Sequence, residues 1–307
     1  MDLLAASHRR EAELVDRLVQ ELRLLLLARP AAAPASRLAQ LVTRTVALLQ
    51  ADNQYLELTA AARTQLARLL LPWLAADAPD DGLDGLREPL QAFLRQLAQD
   101  NAGPEFAFSA QLCAEYSPEL QLQLLGVTPA ELREPVLDLG CGAAARLVAH
   151  LRGLGLDARG VDRQVTSGPG RYAGDWFSFP LEPACWGTIV SHLAFSSHFH
   201  HHHHRPGGHP ARYARRTLEL LEALQVGGRL ILAPGLPFFE PVLPADQYQV
   251  VRHPFALPPD SALCQALQAR FGDGLLYASH ISRRAPGEGE VEVPRAEGEE
   301  RSLRPRG

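Results

Sequence analysis

Residues Val136–Gly142 read Val-Leu-Asp-Leu-Gly-Cys-Gly, and no other stretch constrains the fold as tightly. Apolar residues run into a carboxylate and two glycines, and a helix-like stretch, Arg146–Leu154, follows. A strand ending in a Gly-x-Gly turn brings backbone up to a ligand where a Cβ would collide. The turn also aims the free N–H groups of the next helix at that ligand. The pattern predicts a parallel strand with a small molecule at its carboxyl end.

Gly-x-Gly alone leaves the ligand open. Ala145 completes a Gly-x-Gly-x-x-Ala pattern that a dinucleotide-binding turn accepts. Asp138, two residues before Gly140, argues the other way, because a carboxylate at the strand mouth repels a pyrophosphate and attracts a cation. S-adenosylmethionine carries an ammonium and a sulfonium and no phosphate. Leu156–Asp162 reads as a second strand, and its Asp162 falls where a carboxylate reaches ribose hydroxyls. Asp175 and Trp176 follow a third strand and suit an adenine, one by accepting from its amino group and the other by stacking.

Val136–Gly142, Val161-Asp162, Gly174-Asp175, an expected strand over Thr188–Phe195 and Val226–Pro234 occur in an order and spacing that resembles the class I (Rossmann-like) S-adenosylmethionine-dependent methyltransferases. The resemblance covers roughly Val136 to Pro234. It implies an α/β fold with a doubly wound, mostly parallel seven-stranded sheet. It implies that Asp138, Gly140 and Gly142 face the methionine end of the cofactor, with Cys141 between them, that Asp162 meets the ribose, and that Asp175 and Trp176 lie near the adenine. Ser191-His192-Leu193-Ala194 stands where many amino-methylating nucleic-acid enzymes carry Asn-Pro-Pro-Tyr, and Ser191 is counted with the cofactor contacts. Two positions depart from the pattern. The frequent third glycine is Ala144, and the acidic residue that often opens the fourth strand is Gly187. A doubly wound domain that has lost its cofactor is the plain alternative.

The 307 residues are 46% hydrophobic, enough for two cores. A net charge of −5 shows no general basic footprint, so nucleic acid is a disfavoured partner. All 30 basic residues are Arg, which excludes lysine Schiff-base and P-loop chemistry. Cys113, Cys141, Cys185 and Cys264 form no Cys-x-x-Cys pair and no disulfide framework, as in a reducing compartment. Cys141 reads as a small packing residue. Charges close to the start (Asp2, His8, Arg9, Arg10, Glu11) argue against a leader, and the Leu24–Leu27 run is too short to span a bilayer. A cytoplasmic protein without a membrane partner is expected.

Helical periodicity predicts four helices before residue 104: about 7–28, Ser36–Gln50, Glu57–Leu71 ended or kinked by Pro72, and Leu86–Gln99. They form a helical N-terminal domain, 1–104, a candidate homodimer contact. The cofactor domain spans 105–285. In it Ser117 suits a helix cap, Ala211–Gln225 is amphipathic and ends at Gly227-Gly228, Arg229–Ala233 is a fifth strand, and Tyr248–Arg252 and Leu275–Ser282 are joined through a helix near Ala262–Phe271. The tail 286–307 lacks apolar periodicity and is expected to be disordered.

Ser191–His209 holds His192, His198, His200–His204 and His209 and reads as a loop. In the resembled fold it faces the transferred methyl group. An acceptor with an O–H or N–H benefits from a base of near-neutral pKa, so His198 and His192 are the candidate catalytic residues. A divalent-metal loop and a merely solvated polar loop compete with this reading, although consecutive histidines cannot all face one ion. The expectation is a methyltransferase acting on a small-molecule or protein acceptor. The alternative is a non-catalytic cofactor- or metal-binding regulatory protein.

Overall fold

The computed structural model describes residues 3–27, 34–75, 85–101, 107 and 116–285. The expected disordered tail 286–307, Cys113 and most of the linkers around residues 80 and 104 lie outside them. The chain divides into two compact units. One is Met1–Tyr116 with His201–Gly208, and the other is Ser117–His200 with the chain from His209 onward.

The first unit is built from α1 (Leu3–Leu27), α2 (Pro34–Asp52), α3 (Ala60–Ala75) and α4 (Arg87–Asp100). Leucines at three- and four-residue spacing give each helix one apolar stripe. Leu14, Leu18, Leu22, Leu49, Leu66, Leu70, Leu90 and Leu94 meet in a single core. Burying each Leu stabilises the unit by about 2 kcal/mol. Pro72 does not end α3, which runs three residues further. Leu66 and Leu70 before it are wholly buried, and Trp73 and Leu74 after it pack on the same core, which offsets the lost backbone bond. Glu11 is buried but satisfied by Gln91 Nε2 at 2.9 Å and Arg95 Nε at 2.8 Å.

The second unit opens with α5 (Pro118–Leu125), capped by Ser117 Oγ, which accepts from the Leu120 amide. Then come β1 (Val136–Leu139), α6 (Arg146–Gly153), β2 (Ala158–Asp162), β3 (Arg171–Ala173), β4 (Trp186–His192), α7 (Phe195–His204), α8 (Pro210–Glu222), β5 (Leu224–Ala233), β6 (Tyr248–Pro254), α9 (Ala262–Phe271) and β7 (Tyr277–Arg283). The seven strands form one sheet in the order β3-β2-β1-β4-β5-β7-β6. Strands β1 to β5 pair in parallel, and β7 runs antiparallel to both β5 and β6. The sheet is mostly parallel, as the resemblance implies, and not purely so.

Alternation along the strands explains the two layers. Leu137, Leu139, Ile189, Leu230 and Leu232 enter one core with Phe195 and Phe199 of α7 and Leu220 and Leu221 of α8. Val136, Val190, Ile231 and Ala233 enter the other with Leu122 and Leu125 of α5 and Leu147, Val148 and Leu151 of α6. Gly187 has a packing reason, since a Cβ there would lie 2.4 Å from the carbonyl oxygens of Arg133 and Glu134. No acidic side chain fits at that position.

Two segments differ from expectation. The amphipathic helix stops at Glu222, not at the glycine pair. Strand β5 already begins at Leu224, and its register against β4 shifts between Trp186 and Thr188. Gly227, at φ 75°, supplies the left-handed residue in that irregular stretch. The larger correction is the histidine stretch, which is not a loop. Strand β4 ends at His192, Leu193 turns the chain at φ 48°, and α7 starts at Phe195. Ser191 Oγ accepts from the Phe195 amide at 3.0 Å, and Phe195 and Phe199, four apart, anchor one helical face in the core. The histidines therefore occupy helical positions, and His198, His200 and His202 are buried. In the first unit His202 Nε2 lies 3.3 Å from Glu57 Oε1, and the His201 ring lies 5.0 Å from that of Tyr55. No helix among the described residues is long and apolar enough to cross a membrane.

Candidate functional site

The turn after β1 is held from β2. The Gly140 amide donates to the Val161 carbonyl at 2.8 Å, and the Cys141 amide to the same oxygen at 3.3 Å. The Gly142 amide donates to Asp162 Oδ2 at 3.0 Å, while Asp162 Oδ1 accepts from the Gln164 amide at 2.8 Å. Asp162, expected on the ribose, is thus also the brace of the glycine turn. Each of its oxygens keeps a lone pair for a further donor.

The two glycines differ in kind. Both need positive φ, 86° at Gly140 and 74° at Gly142. A Cβ on Gly140 would sit 2.4 Å from Ala194 Cβ and 3.3 Å from the Trp176 ring, so protein fills that space. A Cβ on Gly142 would meet nothing within 4 Å. The open side of the turn is therefore Gly142, followed by exposed Ala144 and by Ala145, which opens α6 in the left-handed region. Cys141 turns the opposite way, because a Cβ on Gly160 would collide with its Cβ and Sγ at 2.8 Å. Burial foremost, and then Asp138 and Asp162, push its thiol above the ordinary cysteine range. It packs against Gly160 of β2.

Asp138 is 2% exposed, and its Oδ2 is buried without a hydrogen-bond partner. Burial, and secondarily the Asp162 carboxylate, push its pKa up to about 7. The expected anionic rim is therefore about half protonated at neutral pH. Among the described residues no cation offsets it. A cationic ligand in this place would supply the missing partner and restore the charge.

Ser191 is fully buried and its hydroxyl is in use, donating to the Leu139 carbonyl at 2.8 Å and accepting from Phe195. It ties the tip of β1 to the start of α7. Trp176 lies edge-on to Phe195 at 5.8 Å and to His198 at 5.0 Å, with its benzo edge against Gly140. Its Nε1 is buried without a partner. Asp175 is exposed and its Oδ1 accepts from the Phe177 amide at 2.9 Å, which shapes the loop after β3. Asp138, Gly140, Cys141, Gly142 and Asp162 thus cluster at one sheet edge, with Ser191, Trp176 and His198 joined to them through the contacts just described.

The two candidate catalytic histidines separate. Burial pushes the His192 imidazole down to about 3, so it is neutral and a weak base, where the sequence called for one near neutrality. His198 is 5% exposed and faces Trp176. Sequence reasoning passed over Ser196 and Ser197, the second and third residues of α7, whose buried hydroxyls have no partner. Their signal was the pair of serines just inside a helix start, hidden while the stretch read as a loop. Among the described residues no group of three or more His, Cys, Asp and Glu could hold a metal ion.

No family model and no curated protein matches the chain. Several solved structures are similar over about half of it. The plantazolicin methyltransferase BpumL in complex with SAH is 15% identical, over 54% of this chain and 84% of its own, at a TM-score of 0.36. The N-methyltransferase NodS from Bradyrhizobium japonicum is 14% identical, over 55% and 91%, at 0.32. The cyclase SpnF is 15% identical, over 55% and 81%, at 0.35. The strand order and the glycine turn at the tip of β1 are those of a doubly wound, mostly parallel α/β sheet, the architecture that the sequence resemblance implies.

Proposed function

We propose that the edge formed by β1, β2 and β4 binds S-adenosylmethionine and that the chain transfers its methyl group to a small-molecule or protein acceptor. One observation carries the reading: a buried carboxylate oxygen on Asp138, without a partner, beside a turn that is open at Gly142. A nucleoside bearing an ammonium satisfies that oxygen, and a pyrophosphate does not. When bound, the sulfonium supplies the methyl group and a neutral thioether leaving group.

The residues then have separate tasks. Asp138 takes the ammonium, and its charge is restored by it. Asp162 accepts from ribose hydroxyls while still bracing Gly142. The loop Asp175-Trp176 borders the adenine, and Trp176 also separates the turn from α7. With the cofactor bound, the site would align an acceptor lone pair with the methyl carbon, and positioning would carry much of the rate. For an acceptor with an O–H or N–H, His198 receives the proton that is lost. A homodimer through the helical unit, a cytoplasmic setting and an acceptor other than nucleic acid belong to the same proposal.

Calorimetry with S-adenosylmethionine, S-adenosylhomocysteine and NAD tests it. Binding of the first two and not of NAD is expected. Binding of NAD alone would overturn the reading. Tight binding of S-adenosylmethionine without turnover across amine, hydroxyl and thiol acceptors would favour a regulatory binding protein.

A further inference from the structure

We infer that Arg212, laid on the Phe177 ring, is a specificity-determining residue that takes a carboxylate of the methyl acceptor. The inference rests on the cofactor reading above and names the chemistry of the acceptor, which that reading leaves open.

Arg212 is the third residue of α8 and is exposed. A cation in the first turn faces the partial positive charge of the helix end, and no acidic side chain in that turn offsets it. Among the described residues no carboxylate pairs with Arg212. Its Cζ lies 3.7 Å over the centre of the Phe177 ring, a van der Waals contact that a guanidinium reaches with its flat face and not with its N–H edge. Held by its face, the guanidinium keeps that edge for a planar acceptor that takes two hydrogen bonds, which a carboxylate does.

The ring under Arg212 is fixed in place. Tyr213 meets Phe177 edge-on at 4.9 Å. One turn further along α8, Arg216 is 6% exposed, and its Nη2 donates to the Phe179 carbonyl at 2.6 Å, which ties the loop to the helix. Glu219 is taken by Arg216 Nη1 at 2.6 Å, and Arg216 Nε is still buried without an acceptor. From Arg212 to Glu219 the helix thus carries Arg212, Arg215 and Arg216 against a single, already paired carboxylate. Asp175, in the same loop as Phe177, turns its Oδ1 to the Phe177 amide at 2.9 Å. Its charge opposes a dianion more than a monoanion, which favours a carboxylate over a phosphate. The loop also leads to the reaction. Phe177 meets the Trp176 ring edge-on at 6.3 Å, and Trp176 meets His198 at 5.0 Å. Arg212 stands at one end of this run of contacts and the proposed base at the other, so an acid anchored on Arg212 extends along the run toward His198.

The test uses the full-length protein in calorimetry. S-adenosylhomocysteine is titrated first, and failure of the wild type to bind it sinks the cofactor reading and this inference with it. The saturated protein is then titrated with para-hydroxybenzoate and with the longer para-hydroxyphenylpropanoate, each beside its uncharged primary amide. At least one acid should bind the wild type about tenfold more tightly than its amide. Arg212→Gln should abolish that preference, and Arg212→Lys, which keeps the charge without the planar fork, should keep part of it. Because the side chain is exposed, neither variant should change the affinity for S-adenosylhomocysteine by more than about twofold. With S-adenosylhomocysteine bound normally, equal binding of acid and amide by the wild type, no binding of either acid, or a preference that survives Arg212→Gln overturns the inference and leaves the cofactor reading standing.

Discussion

The Gly142 amide donates to Asp162 Oδ2 at 3.0 Å across twenty residues of sequence, so the carboxylate expected to serve the ligand also shapes the turn that receives it. The glycine turn is a preformed element, and its shape depends on β2. Asp162→Ala removes the acceptor of both the Gly142 and Gln164 amides. It should cost about 1–3 kcal/mol of stability in denaturant unfolding. It should also weaken S-adenosylhomocysteine by tenfold or more in calorimetry, whereas Asp162→Asn keeps one acceptor and loses less of each.

Asp138 should trade stability for function. Its folded pKa, about 7, lies above the ordinary value of 3.8. The native state therefore holds more protons than the unfolded chain between those values, and stability falls as pH rises through this window. Above pH 7 the full cost is about 4 kcal/mol. Asp138→Asn carries no charge to bury. Thermal unfolding should show it level with wild type near pH 4 and more stable at pH 8, while S-adenosylhomocysteine binds it measurably more weakly. A variant less stable than wild type at pH 8 would show that the carboxylate has a partner.

His198→Ala should lower turnover with a hydroxyl or amine acceptor by about a hundredfold or more, and leave affinity for S-adenosylhomocysteine within about twofold. His192→Gln should leave the pH profile between 5 and 8 unchanged, because that imidazole stays neutral throughout. Initial rates across pH with each variant separate the two residues.

The sheet edge was legible because its signals are local. The apolar run into Gly140-Cys141-Gly142 and the strand before Asp162 announce their own geometry, and the pairing that joins them follows from one crossover. Helix α7 was not legible. Five successive histidines carry no apolar period, and the helix is specified by Phe195 and Phe199 together with a cap from Ser191, four residues upstream. The start of β5 was hidden by Gly227 and Gly228, which read as a stop and serve as an irregularity inside a strand. Ser191 and Cys141 were placed beside the cofactor from position alone. Their side-chain partners, Leu139 for Ser191 and Gly160 for Cys141, lie on other strands and are set by the fold. The pKa of Asp138 depends on burial, which no local pattern of residues reveals.

The claim that a buried, half-protonated Asp138 selects a cationic nucleoside is tested most directly by proton linkage. Calorimetric titration of S-adenosylhomocysteine at pH 7 in two buffers of different ionisation enthalpy counts the protons exchanged. An ammonium that restores the carboxylate charge should release about half a proton per site, and Asp138→Asn should abolish the release. Binding with no proton released, or with protons taken up, would contradict the account.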